Sequence, residues 1–308
     1  MQSTRLPPAH RAGFVAIVGR PNVGKSTLLN RLVGQKLAII SPKPQTTRGR
    51  ILGVITRPDA QVALLDTPGL HAAKGGLNAR MVQRALQTLA DADLALFLIE
   101  AGPPAVDAAT GKALDQVKAA GKPTLLVINK IDAVPRAQLL PLIDRWKDLH
   151  SWTDVYPLSA LKGENVGGFV DALVAHLPEG PPMFPAEQWT DLHERDLCGE
   201  LVREQLLRHT GQEVPYSAAV LVELFDESER ETGARGLVRI AATIVVERES
   251  QKAIVIGKGG SRLKEIGTGA RREMERLLGA KVFLQLHVRV EPGWTRTAKG
   301  LRRAGYED

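Results

Sequence analysis

Along the first 180 residues, short runs of nearly unbroken apolar side chains alternate with stretches whose apolar residues recur at helical spacing. Runs 14–18 (FVAIV), 94–99 (LALFLI) and 124–128 (TLLVI) lack the polar alternation of a half-exposed strand, so each predicts a strand buried on both faces. Runs 51–55 and 61–65, joined by the turn Arg57-Pro58-Asp59, and the short run 155–158 predict three more strands. Residues 27–32, 77–90, 105–120 and 166–177 carry the helical pattern between them. Such alternation predicts a doubly wound α/β sheet with its ligand at the carboxyl ends of the strands.

The pattern changes past residue 177. Residues 178–185 hold four prolines in eight positions, which neither a helix nor a central strand accepts. Beyond them come a helix at 192–209, strands at 216–225 and 237–246, a helical segment ending near 256, a glycine-rich turn, a helix around 270–278 and a strand at 282–290. This order predicts a second, smaller α+β domain. The expected layout is a tail at 1–11, a first domain at 12–178, a linker at 179–188, a second domain at 189–295 and a basic tail at 296–308.

Length and composition agree with two soluble domains: 308 residues are enough for two cores. No stretch reaches the roughly 18 to 20 uncharged apolar residues that span a bilayer, and residues 1–12 lack the apolar core of a secretory signal, so the cytoplasm is the expected location. The single cysteine, Cys198, excludes an internal disulfide and a cysteine zinc cluster, which leaves metal chemistry to oxygen ligands. Its helical setting predicts a buried apolar filler. Charge is uneven: residues 187–249 hold 7 basic and 14 acidic groups, whereas residues 252–303 hold 13 basic and 4 acidic. That swing predicts a basic working surface in the second domain, as a phosphate backbone requires.

Three motifs stand at predicted strand ends in the first domain. Gly19-Arg20-Pro21-Asn22-Val23-Gly24-Lys25-Ser26 follows the first apolar run and opens a helix at Thr27. The spacing G-x-x-x-x-G-K-S there is a phosphate-binding loop: glycines let backbone N–H groups curl around phosphate oxygens, Lys25 reaches the β- and γ-phosphates, and the Ser26 hydroxyl holds Mg²⁺. Some 40 residues on, Asp66-Thr67-Pro68-Gly69 ends a strand, so that Asp66 can hold the same Mg²⁺ through water and the Gly69 N–H can meet a γ-phosphate. Asn129-Lys130-Ile131-Asp132 ends another. The Asp132 carboxylate can accept both N1–H and N2–H of guanine, a pair that adenine does not offer, while Asn129 supports the loop and the Lys130 stem covers the ring. Backbone amides of Ser159, Ala160 and Leu161 are expected near the guanine O6. The mobile, proline-punctuated loop with Gln45-Thr46-Thr47-Arg48 supplies a threonine for Mg²⁺; Thr47 is the choice, with Thr46 as the alternative.

In the second domain, Ile256-Gly257-Lys258-Gly259-Gly260 precedes Arg262 and Lys264. A G-x-x-G turn between two helices brings a nucleic-acid backbone within reach of main-chain N–H groups, and the three basic side chains supply phosphate charge. Together with the helix-strand-strand-helix-loop-helix-strand order, it looks like a KH domain of the prokaryotic topology, suited to about four nucleotides of single strand.

Taken together, these motifs closely resemble the Era-type GTPases over nearly the whole chain. The resemblance implies a P-loop GTPase domain followed by a type II KH domain, a monomer that binds GTP, GDP and Mg²⁺, and an enzyme converting GTP to GDP and phosphate. It further implies binding to the single-stranded 3′ end of 16S rRNA and a role in assembly of the 30S ribosomal subunit. Peripheral association with the inner membrane has been described for the family, although no basic amphipathic anchor is evident here. Leu70 stands where Ras-like enzymes carry the glutamine that orients the attacking water, which implies slow intrinsic hydrolysis. Asn22 matches the asparagine that coordinates K⁺ in related tRNA-modification GTPases, so K⁺ is an expected additional cation, with loop capping the alternative role. Two other readings are an RNA-binding scaffold or checkpoint protein in which hydrolysis is only a timer, and a GTPase of RNA modification. The latter would need a folate-binding domain and a C-terminal cysteine, and neither is present.

Overall fold

The computed structural model describes residues 10–300, apart from 42, 44–45, 48, 68–75, 103–105, 212–213, 215–216, 232–235 and 298–299. The chain divides into two compact units: the first takes the residues up to 191 apart from 39–43 and 74–79, and the second takes those two segments and the residues from 192 on. In the first unit the order is β1 (Arg11–Gly19), α1 (Lys25–Val33), β2 (Ile51–Thr56), β3 (Ala60–Asp66), α2 (Gly76–Asp91), β4 (Leu94–Glu100), α3 (Ala108–Ala120), β5 (Thr124–Asn129), α4 (Leu139–Lys147), β6 (Asp154–Pro157) and α5 (Val166–Ala175). The sheet runs β2-β3-β1-β4-β5-β6; β2 is antiparallel to β3 and every other pairing is parallel. The apolar runs are its middle. Val15 to Val18, Leu94 to Leu98 and Leu125 to Ile128 are each no more than 1% exposed, as a sheet covered on both faces demands.

One helix was not predicted. Pro141 lies within α4, but in its first turn, where a missing N–H would have had no intrahelical partner. The proline-rich stretch expected as a linker is pinned to the first unit. Buried Gln61 on β3 accepts the N–H groups of Met183 and Phe184 at 2.6 and 2.8 Å and donates to Phe184 O at 2.9 Å. Farther along, the Thr190 hydroxyl donates to Leu52 O at 2.7 Å.

The second unit contains α6 (Glu194–His209), β7 (Ala219–Glu229), β8 (Leu237–Val246), α7 (Glu249–Ile256), α8 (Ser261–Leu278) and β9 (Lys281–Val290). Its sheet runs β7-β8-β9, antiparallel and then parallel. Leu201, Val202 and Leu206 of α6, Ile266, Ala270 and Met274 of α8, and Ile240 and Ile244 of β8 share one core. Cys198 belongs to it, and burial pushes its thiol up to about 12, which makes it the inert filler expected. Helix α8 begins nine residues before its predicted start and runs through Gly267 and Gly269, of which only Gly269 is closely pressed. A Cβ on Gly269 would lie 2.4 Å from Gln205 Oε1, and one on Gly267 3.4 Å from Leu286. Strand β7 starts at Ala219; Tyr216, the predicted first residue, lies outside the described residues.

Candidate functional site

Strand β1 delivers the phosphate loop and α1 receives it. Two glycines are imposed by their neighbours: a Cβ on Gly19 (φ +154°) would sit 2.5 Å from Leu98 O, and one on Gly24 (φ +102°) 2.2 Å from Asn129 Nδ2. Asn22 also has positive φ, 66°, and is exposed, while Val23 is fully buried. Among the described residues no side chain caps the N-terminus of α1, so its first N–H groups, at Lys25, Ser26 and Thr27, are placed to receive an anion. Lys25 Nζ donates to Gly19 O and Arg20 O, both at 3.0 Å, which folds the ammonium into the loop's own carbonyls. Burial pushes the Lys25 amine down and the Asp66 carboxyl up, each opposed by the other's charge.

Three oxygens meet below the loop. Ser26 Oγ donates to Asp66 Oδ2 at 2.9 Å, Thr47 Oγ1 donates to the same atom at 3.1 Å, and the two hydroxyls lie 3.1 Å apart. Asp66 is fully buried, and its Oδ1 has no hydrogen-bond partner among the described residues. A buried carboxylate with an unused oxygen, between two hydroxyls, fits a hard divalent cation such as Mg²⁺. Thr47 was the preferred threonine, and its hydroxyl joins this cluster. Gly69 and Leu70 lie outside the described residues.

The base loop is built by buried Asn129 at the end of β5. Its Nδ2 donates to Val23 O at 2.8 Å and its Oδ1 accepts the Ala160 N–H at 2.9 Å, so one side chain ties the phosphate loop to residues 159–161. Lys130 has left-handed backbone (φ 64°), and Asp132 follows it exposed in the 3-10 turn Ile131–Ala133. Ser159 Oγ accepts the Lys162 N–H at 3.0 Å, and Leu161 is 65% exposed. Two contributors escaped the sequence reading. Arg31 on α1 donates to Ala160 O at 3.0 Å and Leu161 O at 2.5 Å, orienting that loop from below. Glu100 ends β4 and is ion-paired to Arg20 and Lys130, each at 3.1 Å. Its signal was a lone carboxylate closing the otherwise apolar run LALFLIE.

In the second unit, residues 257–260 join α7 to α8. Gly257, Gly259 and Gly260 have φ of +72°, +59° and +81°. Lys258 and Lys264 are exposed and Ile256 is half-buried. The Arg262 guanidinium, expected toward phosphate, donates from Nη1 to Ile254 O at 2.5 Å. That bond takes up one carbonyl of the last turn of α7. Beside the turn lies a groove of about 520 Å³, lined by Leu263, Lys264, Thr268, Arg271, Leu284 and Leu286 among others. Thr268 and Arg271 had not been anticipated, although the α8 sequence sets them four and seven residues beyond Lys264, on its side of the helix.

A metal-ready phosphate loop and a guanine-type base loop on one sheet edge, in a chain that also carries a two-helix glycine turn on a three-stranded sheet, define a P-loop GTPase with a KH domain. The family model described as 50S ribosome-binding GTPase matches residues 14–130, and that for the KH domain matches residues 213–295. The GTPase Era of Syntrophus aciditrophicus is 48% identical over 298 residues (97% of this chain, 96% of the relative), and that of Geotalea uraniireducens 50% identical over 297 (96% and 98%). The chain belongs to the GTPase Era family. Two solved structures, an Aquifex aeolicus Era variant bound to GDP and AlF₄⁻ and an Era in complex with MgGDPNP and nucleotides 1506–1542 of 16S ribosomal RNA, each align with a TM-score of 0.90 at 44% identity, covering 97% of this chain and 100% of theirs.

Proposed function

We propose that this chain is a GTP-hydrolysing switch that binds the single-stranded 3′ end of 16S rRNA through its KH domain and assists assembly of the 30S subunit. The observation that carries the nucleotide half is the cluster of Ser26, Thr47 and Asp66, which joins the phosphate loop to a loop expected to change with nucleotide state. Ser26 and Thr47 would hold Mg²⁺ directly and Asp66 through water. Bound there, Mg²⁺ supplies charge neutralisation for the β- and γ-phosphates. Lys25 turns from Gly19 O and Arg20 O to the phosphates, whose charge favours the ammonium form. Asn129, Lys130 and Asp132 select guanine, with the Ser159 to Leu161 amides at its O6. The γ-phosphate orders the Thr47 and Gly69 segments, and hydrolysis releases them. Asn22 is the residue that would make turnover depend on K⁺.

The RNA half rests on the open turn at residues 257–260 with Lys258 and Lys264 beside it, and on the rRNA complex of the 44%-identical Era structure. No helix among the described residues is long and apolar enough to cross a membrane. We read the chain as a cytoplasmic monomer, with peripheral contact to the inner membrane resting on the family resemblance alone. The test measures hydrolysis of GTP and ATP, in KCl and in NaCl, with and without an oligonucleotide of the 16S rRNA 3′ end. The expected result is turnover of GTP only, faster in KCl, with oligonucleotide affinity that differs between GDP and a GTP analogue. Equal use of ATP would overturn the guanine assignment. Equal rates in the two salts would remove the role of Asn22, and RNA affinity blind to nucleotide would remove the switch.

A further inference from the structure

Strands β1, β4 and β5 are neighbours in the sheet, in that order, and each ends at the nucleotide edge. The residue after β1 is Arg20 of the phosphate loop, the residue after β5 is Lys130 of the base loop, and the last residue of the strand between them is Glu100. Topology therefore sets one carboxylate midway between two cations. Glu100 Oε2 lies 3.1 Å from Arg20 Nη2 and Oε1 lies 3.1 Å from Lys130 Nζ. The chain of ion pairs continues from Arg20 Nη1 to Asp107 Oδ2 at 3.3 Å, and Asp107 caps α3 by accepting the Thr110 N–H at 2.7 Å. Glu100 is itself fixed: it pairs in register with Asn129, and the next residue, Ala101, donates its N–H to Asn129 O at 2.7 Å.

The assigned task of Lys130 is to cover a guanine ring with its four-carbon stem. A free lysine stem has several rotatable bonds, and ordering it on ligand binding costs conformational entropy. Here both ends are held before ligand arrives, the Cα by the left-handed backbone and the Nζ by Glu100. We propose that Glu100 is a positioning residue for nucleotide binding, which tethers the Lys130 ammonium so that the stem is preset over the base and, through Arg20, fixes the base loop to the phosphate loop. This inference rests on the guanine-binding assignment of Asn129, Lys130 and Asp132. Side-chain exposures of 30% for Glu100 and 34% for Lys130 and Arg20 keep the expected effect modest.

The experiment is a double-mutant cycle on the full chain, read by dissociation of a fluorescent GDP analogue in stopped flow. Glu100→Gln removes the tether, and Lys130→Met removes the ammonium but keeps the stem. Each is expected to speed dissociation by about fivefold, and the double variant by no more than the worse single, because both delete one link. Additive effects, or a Glu100→Gln rate equal to that of the parent, would overturn the proposal. A purely structural role is separated by base choice: Glu100→Gln should weaken GDP and inosine diphosphate by the same factor, since ring coverage is blind to the 2-amino group, and a changed ratio argues against tethering. Should Glu100→Gln fail to fold, as read by circular dichroism, Glu100→Asp in the same cycle gives the coupling. The underlying assignment is tested apart by Asp132→Asn, which should move preference from guanine to xanthine nucleotides. If it does not, the base-loop reading fails, whatever the cycle shows.

Discussion

The molecule has two glycine turns suited to phosphate, and they are built on opposite principles. In the phosphate loop the glycines are demanded by the protein: Gly19 and Gly24 are pressed against Leu98 O and Asn129 Nδ2, and the cationic side chain, Lys25, is buried. In the turn between α7 and α8 Gly257 is pressed against Arg262, but at the other two glycines the neighbours withdraw. A Cβ on Gly259 or Gly260 would meet nothing within 4 Å, and Lys258 and Lys264 are exposed. A closed loop of fixed shape selects one small ligand by fit. An open one admits a polymer backbone and holds it by solvent-exposed charge, so its affinity should fall with salt far more steeply than that of the first.

The largest expected effect breaks the closed loop. Gly24→Ala puts a methyl group against a buried amide and a non-glycine residue at φ +102°. Overpacking and backbone strain together cost about 3 to 4 kcal/mol; a free loop that relaxes to escape them must be forced back on binding, so affinity for GDP should fall by up to roughly several hundredfold. Isothermal titration of GDP reads it directly. A loss under about tenfold would mean that Asn129 yields easily, and that the loop is less rigid than its contacts imply. Next comes Gly257→Asp. Gly257 combines φ +72° and ψ 177° with a Cβ position 2.8 Å from Arg262 Cβ, and the new carboxylate would face phosphate. RNA affinity should fall by about ten- to a hundredfold in filter binding, with GDP affinity unchanged. Unchanged RNA affinity in a folded variant would refute the KH interface.

How far the sequence carried differs between the two regions for the same physical reason. The first domain was legible because its strands are uninterrupted apolar runs and its motifs have fixed spacing, so Lys25, Ser26, Asp66 and Asn129 could be named without coordinates. What escaped depends on the order of strands rather than on the order of residues. Glu100 is 80 residues from Arg20, and no local pattern reveals that β4 lies between β1 and β5. Arg31 escaped likewise, being 129 residues from Ala160. In the second domain the glycine turn was found, but α8 was started too late because Gly267 and Gly269 signal a break locally. The crossing of α6 and α8, with Gln205 against Gly269, explains the second of them. Arg262 was named for its charge beside the glycine turn, and its bond to the Ile254 carbonyl is a contact that spacing did not reveal.

The finest test uses two glycines of the second unit with nearly the same backbone. Gly259 in the turn and Gly279 after α8 have φ of +59° and +66°, and a Cβ at either would meet no atom within 4 Å. Alanine at each position should therefore cost the same stability, about 1 kcal/mol for an L-residue in the left-handed region, read as equal shifts of the second domain's unfolding transition in urea. The positions differ in what stands outside the protein. Helix α8 has 18 residues, so Gly279 lies about 27 Å along its axis from the turn. If the empty space over Gly259 exists for an RNA backbone, Gly259→Ala loses about threefold or more in RNA affinity while Gly279→Ala loses none. Equal RNA affinities at equal stability cost would mean that Gly259 is there for its φ alone, and that the backbone contact is made at Gly257 and Lys258.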